Sequence, residues 1–220
     1  MGTVLGDLLP LAIGVAVSPV PIIAAILMLL GTRAGSTSIG FAAGWIVGIV
    51  AATTIFVLLG GVAGGSGDEP SSASSWIKLV LGVLLLLVGL RQWRGRGGEH
   101  TAPKWMTAID DMTAGKALAI GFALAAINPK NLLMCIAAGV TIGSVDLSGG
   151  QSIIAVAVFS ILAASTVAVP VIAYQVAAQR LSAPLASLKE WLQANNTAVM
   201  SVLILVIAVV LIGKGMGGLF

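Results

Sequence analysis

Apolar residues along this chain fall in long unbroken runs, without the alternation of a half-buried strand or the single apolar stripe of a surface helix. Six runs stand out: about Val4 to Gly31, Ile39 to Gly61, Ile77 to Leu90, Lys116 to Ile142, Ile153 to Val176 and Ala198 to Gly213, the third being the shortest. A helix crossing a bilayer takes about 20 apolar residues, so the pattern predicts an all-α integral membrane protein with six transmembrane helices. Six crossings use most of the 220 residues and leave connections, with no room for an appended soluble domain. The chain therefore reads as one transmembrane domain over 1–220. The first run has no basic flank beyond the amino terminus and continues through a proline pair without a small-residue cleavage site, so it is expected to remain in the mature protein.

Two of the six runs carry matching interruptions. With Pro19 set under Pro129, Ser18-Pro19-Val20-Pro21 falls on Asn128-Pro129-Lys130-Asn131, each inside a long apolar stretch. Each half then holds three spans: repeat one over about 4–93, a cytoplasmic connection over about 94–115, and repeat two over about 116–215. Three is odd, so the second copy enters the membrane from the opposite side. This is the inverted repeat of many secondary transporters. A proline removes a backbone donor and clashes with the carbonyl four residues earlier, which points to free carbonyls at Val15, Val17 and Ala125. Hydrocarbon leaves such groups without partners, and non-helical backbone at depth is tolerated only inside protein or beside a wet cavity. Spans one and four are accordingly expected to break and to line an interior site. A kink packed against neighbouring helices is the plainer reading of one such proline.

Ser18 and Asn128 are good N-cap residues, each followed by proline at the first position of a new half-helix. Such a start directs unpaired N–H groups and partial positive charge at what lies before it, and Lys130 adds a full charge at the second break. An intramembrane cation costs about 2.5–3.5 kcal/mol on insertion scales and marks a functional site by default; snorkelling, or pairing with freed carbonyls, is the structural alternative. The residues expected to hold a substrate are Ser18, Pro19, Pro21, Asn128, Pro129, Lys130 and Asn131, with no carboxylate at comparable depth to pair with Lys130. Span two repeats Gly40, Gly44 and Gly48 at a spacing that lets helix backbones approach closely.

Charge sets the orientation. Arg33, Arg91, Arg94, Arg96, Lys104, Lys116, Arg180 and Lys189 fall on one side of the predicted spans, against Lys78 and Lys214 with Asp7, Asp68, Glu69 and Asp146 on the other. The basic side is cytoplasmic, placing both termini outside. Two cytoplasmic connections read as interfacial amphipathic helices: Trp105, Met106, Ile109 and Met112 opposite Asp110 and Asp111, and Leu181, Leu185, Leu188 and Trp191. Trp93, Trp105 and Trp191 fit an aromatic belt, and Gly60 to Ser75, rich in Gly and Ser, reads as a flexible external loop.

Composition narrows the chemistry. With 58% hydrophobic and 9% charged residues, the chain is far from a soluble domain, which carries about 25% charged. The net charge of +3 is explained by cytoplasmic anchors and does not point to nucleic acid. One cysteine forbids an internal disulfide and excludes a thiol-disulfide electron carrier, leaving Cys135 as a packing residue. One histidine, His100 in a connection, and no carboxylate cluster within the spans disfavour a metal site. No phosphate-binding G-x-x-x-x-G-K-[ST] loop is present. No catalytic residue, metal or other cofactor is implied: the expected chemistry is binding and movement.

The stretch Pro19-Val20-Pro21 through Gly31-Thr32-Arg33-Ala34-Gly35, followed by Gly40 and Gly44, resembles the first helix and loop of the LysE superfamily of exporters, and Asn128-Pro129-Lys130 resembles its second signature. The length and the Ser-Pro-x-Pro form are most similar to the GAP and Sap proteins of mycobacteria and relatives, glycolipid- and sulfolipid-addressing proteins associated with moving cell-envelope lipids outward. Val20 stands where amino-acid exporters of the superfamily have glycine, which favours the lipid-addressing branch. The resemblance implies two inverted triplets, an export function at the inner membrane and a role for Arg33 at the cytoplasmic entrance. A lipid or small amphiphile is the expected substrate, with lipid-export proteins as candidate partners. Export of a small amino acid or metabolite, and a non-transporting scaffold for a lipid export complex, are the alternatives.

Overall fold

A computed structural model describes residues 1–64, 72–94 and 112–219. Within them the chain is helical, without strands. The helices are α1 (Gly2–Ala16), α2 (Pro19–Leu30), α3 (Ala34–Gly64), α4 (Ser72–Arg94), α5 (Ala114–Ala126), α6 (Pro129–Gly143) and α7 (Gly149–Gly217). Three helices, α3, α4 and α7, are long and apolar enough to cross a membrane, and up to five spans result if the bent pairs α1–α2 and α5–α6 each count as one. Their outward faces are apolar, as at Leu58, Ile153, Ile161 and Ile172, all more than 60% exposed. A water-soluble surface would not carry so much aliphatic area; a bilayer accommodates it.

The two proline-bearing runs break where the sequence pattern places the interruptions. α1 and α2 meet at 52° and α5 and α6 at 62°, with Val17-Ser18 and Ile127-Asn128 as the joints. Run five ends at a kink: α7 joins two helices at Ala177, the only non-helical backbone in its 69 residues, one residue beyond Val176, and the second of them continues through the predicted interfacial stretch into run six. Helical backbone satisfies its own hydrogen bonds, so the polar segment after Ala177 stays helical without needing apolar side chains. Within it Leu185 and Leu192 are buried, while Leu188 and Trp191 are exposed. The first predicted amphipathic connection, apart from buried Met112, and Arg96, His100, Lys104, Asp68 and Glu69 lie outside the described residues.

Glycine sets how closely the helices pack. A Cβ on Gly40 would lie 2.5 Å from the Ala114 carbonyl oxygen, and one on Gly48 would lie 2.7 Å from the Ala125 methyl. Gly44 sits against Leu118 and, further along, Gly60 against Val140. Residue numbers rise together on the two sides, so α3 runs parallel to α5 and then to α6. The glycine seam of the second run is thus a packing surface. α4 runs antiparallel to the later arm of α7, with Gly82 against Ile212, Gly89 against Ile204 and Gly215 against Leu79. α1 packs on α6 and α7, both from the second half of the chain. Trp45, Phe41, Phe159, Leu8, Met28 and Met134 are among the large side chains sealed inside.

Candidate functional site

The polar groups of both breaks converge on the ends of α1 and α5. Helices leave their last four carbonyls without intrahelical partners, and here those carbonyls lie within apolar protein. At the end of α1, the Val17 N–H donates to Ile13 O at 2.8 Å and the Ser18 N–H to Val15 O at 3.2 Å. The remaining carbonyls take side chains from far along the chain. Lys130 Nζ donates to Gly14 O at 2.7 Å, and Thr166 Oγ1 donates to Ala16 O at 2.5 Å. At the end of α5 the solution is local: Asn131 Nδ2 donates to Leu124 O at 2.9 Å. Gly14 and Leu124 are equivalent positions, each five residues before the break proline.

The carbonyls at issue differ from those that proline sterics alone indicate. Each half-helix ends before its proline, which becomes the first residue of the next half-helix, so the clash with the fourth preceding carbonyl does not arise. Val15 O is satisfied by the Ser18 N–H, and the groups needing outside donors are those of Gly14, Ala16 and Leu124.

The predicted caps are unequal. Asn128 Oδ1 accepts from the Lys130 N–H at 3.1 Å, while Ser18 is buried at the N-cap of α2 without a side-chain cap bond. Pro19 and Pro21 are buried in α2; Pro129 is exposed, as is Ile127 before it. The first break is therefore interior and the second opens on one side to the surface of the helix assembly.

Lys130 is 6% exposed and its ammonium reaches Met200 Sδ at 3.9 Å in addition to Gly14 O. An ammonium has three donors and a thioether is a weak acceptor, so capacity remains for a ligand. Gly14 permits the approach: a Cβ there would lie 2.8 Å from Met134 Sδ. Asn131 is fully buried. Its bond to a carbonyl, which only accepts, fixes the amide orientation and leaves Oδ1 without a partner. An unsatisfied buried acceptor costs about 1–3 kcal/mol, so the second break presents one spare donor and one unmet acceptor at adjacent residues.

The remaining expectations sort by position. Arg33 is exposed at the α2–α3 connection, where its carbonyl accepts from Thr37 Oγ1 at 2.9 Å; the length of α2, about 18 Å at 1.5 Å per residue, separates it from the break. Cys135 is buried and free. Sequence pattern alone does not single out Thr166, Gly14 or Met200. A hydroxyl within an apolar run and a glycine one turn before the cap are the faint signals they leave. A family model described as Sap, sulfolipid-1-addressing protein, matches residues 8–217, nearly the whole chain, and the chain belongs to that family. No curated protein and no solved structure matches it.

Proposed function

We propose that this member of the sulfolipid-1-addressing family is an inner-membrane exporter or translocation factor for cell-envelope (glyco)lipids, holding the substrate headgroup near the midplane at two broken helices. The observation that carries the reading is the buried Lys130 ammonium bonded to the Gly14 carbonyl, a contact that joins the two breaks. Beside it Asn131 Oδ1 lacks a donor. A headgroup with an anionic oxygen and a hydroxyl would meet both needs, the oxygen accepting from Lys130 and the hydroxyl donating to Asn131. Ser18, Pro19, Pro21, Asn128 and Pro129 shape the surroundings, and Arg33 stands at the cytoplasmic entrance. No bond is made or broken, so the protein is not an enzyme.

The transport cycle we infer is alternating access by two inverted triplets. A 69-residue helix is about 100 Å long, over three times a hydrocarbon core of about 30 Å. Divided at Ala177, α7 supplies a fifth and a sixth span. The parallel course of α3 with α5 and α6 supports inversion: α3 follows α2 through a three-residue connection and returns across the membrane, so the second broken pair runs opposite to the first. Both termini then lie outside.

Native mass spectrometry of the purified protein, wild type against Lys130→Ala/Asn131→Ala, tests the reading. An envelope lipid should accompany the wild type and be lost from the variant; equal retention of bulk phospholipid by both overturns the site. Export of a small polar metabolite is the second reading, favoured by the burial of the cluster's polar side chains, Ser18, Lys130 and Asn131 each being at most 6% exposed. Retention of a metabolite in place of a lipid would select it.

A further inference from the structure

Away from the breaks, charged side chains from three candidate spans lie near the other end of α1. Asp7 of α1 forms an ion pair with Lys214 of α7, and Lys78 lies on α4 where that helix packs against the same part of α7. Backbone packing enforces this placement. A Cβ on Gly215 would lie 2.7 Å from the Leu79 nitrogen, so the residues just before these two, Lys214 and Lys78, are held beside the α4–α7 crossing. The paired side chains keep 30% and 32% of their surface exposed, accessible to a ligand although the helices that carry them are apolar.

Among the described residues the charges do not balance within the cluster. Two ammonium groups, six N–H donors in all, face one described carboxylate, and ionisable groups in membrane helices are costly unless they have work to do. A purely structural bridge needs only one lysine. Asp7 also lies about 10 Å along α1 from Gly14, whose carbonyl Lys130 holds, so one short helix joins the cluster to the break site.

We propose that Asp7, Lys78 and Lys214 form a second ligand site, taking the anionic group (sulfate, phosphate or carboxylate) of an amphiphile. The incoming anion takes the place of the Asp7 carboxylate on Lys214, with Lys78 as its second donor. This rests on the export reading for its direction, since the cluster then lies at the external end, where a headgroup leaving the break would arrive.

The test uses the full chain in phosphatidylcholine nanodiscs, with a sulfated galactosylceramide, its unsulfated parent and inorganic sulfate as probes. All variants carry Lys130→Ala/Asn131→Ala, so that residual binding reports the cluster alone. Residual preference for the sulfated lipid should fall about tenfold with Lys78→Gln, the scale of a lost charged hydrogen bond, and should rise with Asp7→Asn, which frees Lys214. Displacement by inorganic sulfate shows that the charged group alone suffices; its absence, with the sulfated lipid still preferred, shows that the tails contribute as well. Equal binding of the sulfated and unsulfated lipids, or no effect of Lys78→Gln, overturns the proposal. Lys78 is outside the ion pair, so its variant decides the matter even where Asp7→Asn fails to fold. Failure of the export reading shows separately, as unchanged binding on introducing Lys130→Ala/Asn131→Ala alone.

Discussion

At Lys130 one residue serves two helices: its N–H is capped by Asn128 at the start of α6, and its ammonium caps the Gly14 carbonyl at the end of α1. Replacing it with methionine removes a charge that costs about 2.5–3.5 kcal/mol to insert and orphans a carbonyl worth about 1–3 kcal/mol. The two effects nearly offset. Lys130→Met should therefore leave thermal stability in detergent almost unchanged while abolishing lipid retention. Thr166→Val keeps the shape, carries no charge to relieve, and strands the Ala16 carbonyl, so it should destabilise by about 1–3 kcal/mol. If Lys130→Met proves the worse of the two, the ammonium is structural and the site reading weakens. Lys130 and Asn131 are legible in sequence because an ionisable or amide group beside a proline in an apolar run is costly to bury unless it meets a partner or a ligand. Thr166 is not, since a lone hydroxyl in a span commonly bonds its own helix, as Ser165 does with Leu162 O at 2.8 Å.

Among the elements, the close contact of α3 with α5 depends on small residues on both sides, Gly121 lying against Phe41 and Trp45 as Gly44 lies against Leu118. Gly44→Ala must push the helices apart and should cost about 1–3 kcal/mol. Gly213→Ala, with open space around it, should be neutral or gain up to about 1 kcal/mol from helix propensity; thermal unfolding of the pair checks the contrast. The seam and both breaks can be read from spacing and from proline, which act through local backbone geometry. The helical course of α7 beyond Ala177 cannot. Arg180, Lys189 and the polar residues between them look like a connection to any measure of hydropathy, yet helicity needs only satisfied backbone. The kink at Ala177 coincides with the end of the fifth apolar run at Val176, although neither Pro170 nor Pro184, each seven residues away, marks it.

For the molecule as a whole, the inverted arrangement proposed above makes a directional prediction. In a Cys135→Ala background, cysteines at Thr3 and Asp146 should react with an impermeant reagent from outside and one at Ser36 from the cytoplasm, all three positions being exposed. Labelling of Thr3 and Ser36 from the same side would sink the arrangement. The docking of α1 on the second half also bears on how the chain is made. Gly14 leaves the ribosome 116 residues before the lysine that caps it, and Ala16 leaves 150 before its threonine, while Asp7 waits for Lys214 near the far end. During synthesis α1 enters the bilayer with its charge and its end carbonyls unmet, relying on water, lipid headgroups or the insertion machinery. The ion-pair partner of Asp7 arrives only with the later part of α7, so α1 stays unlocked on that side until α7 has been made. Removal of the segment that carries Lys214 should accordingly expose α1 to proteolysis.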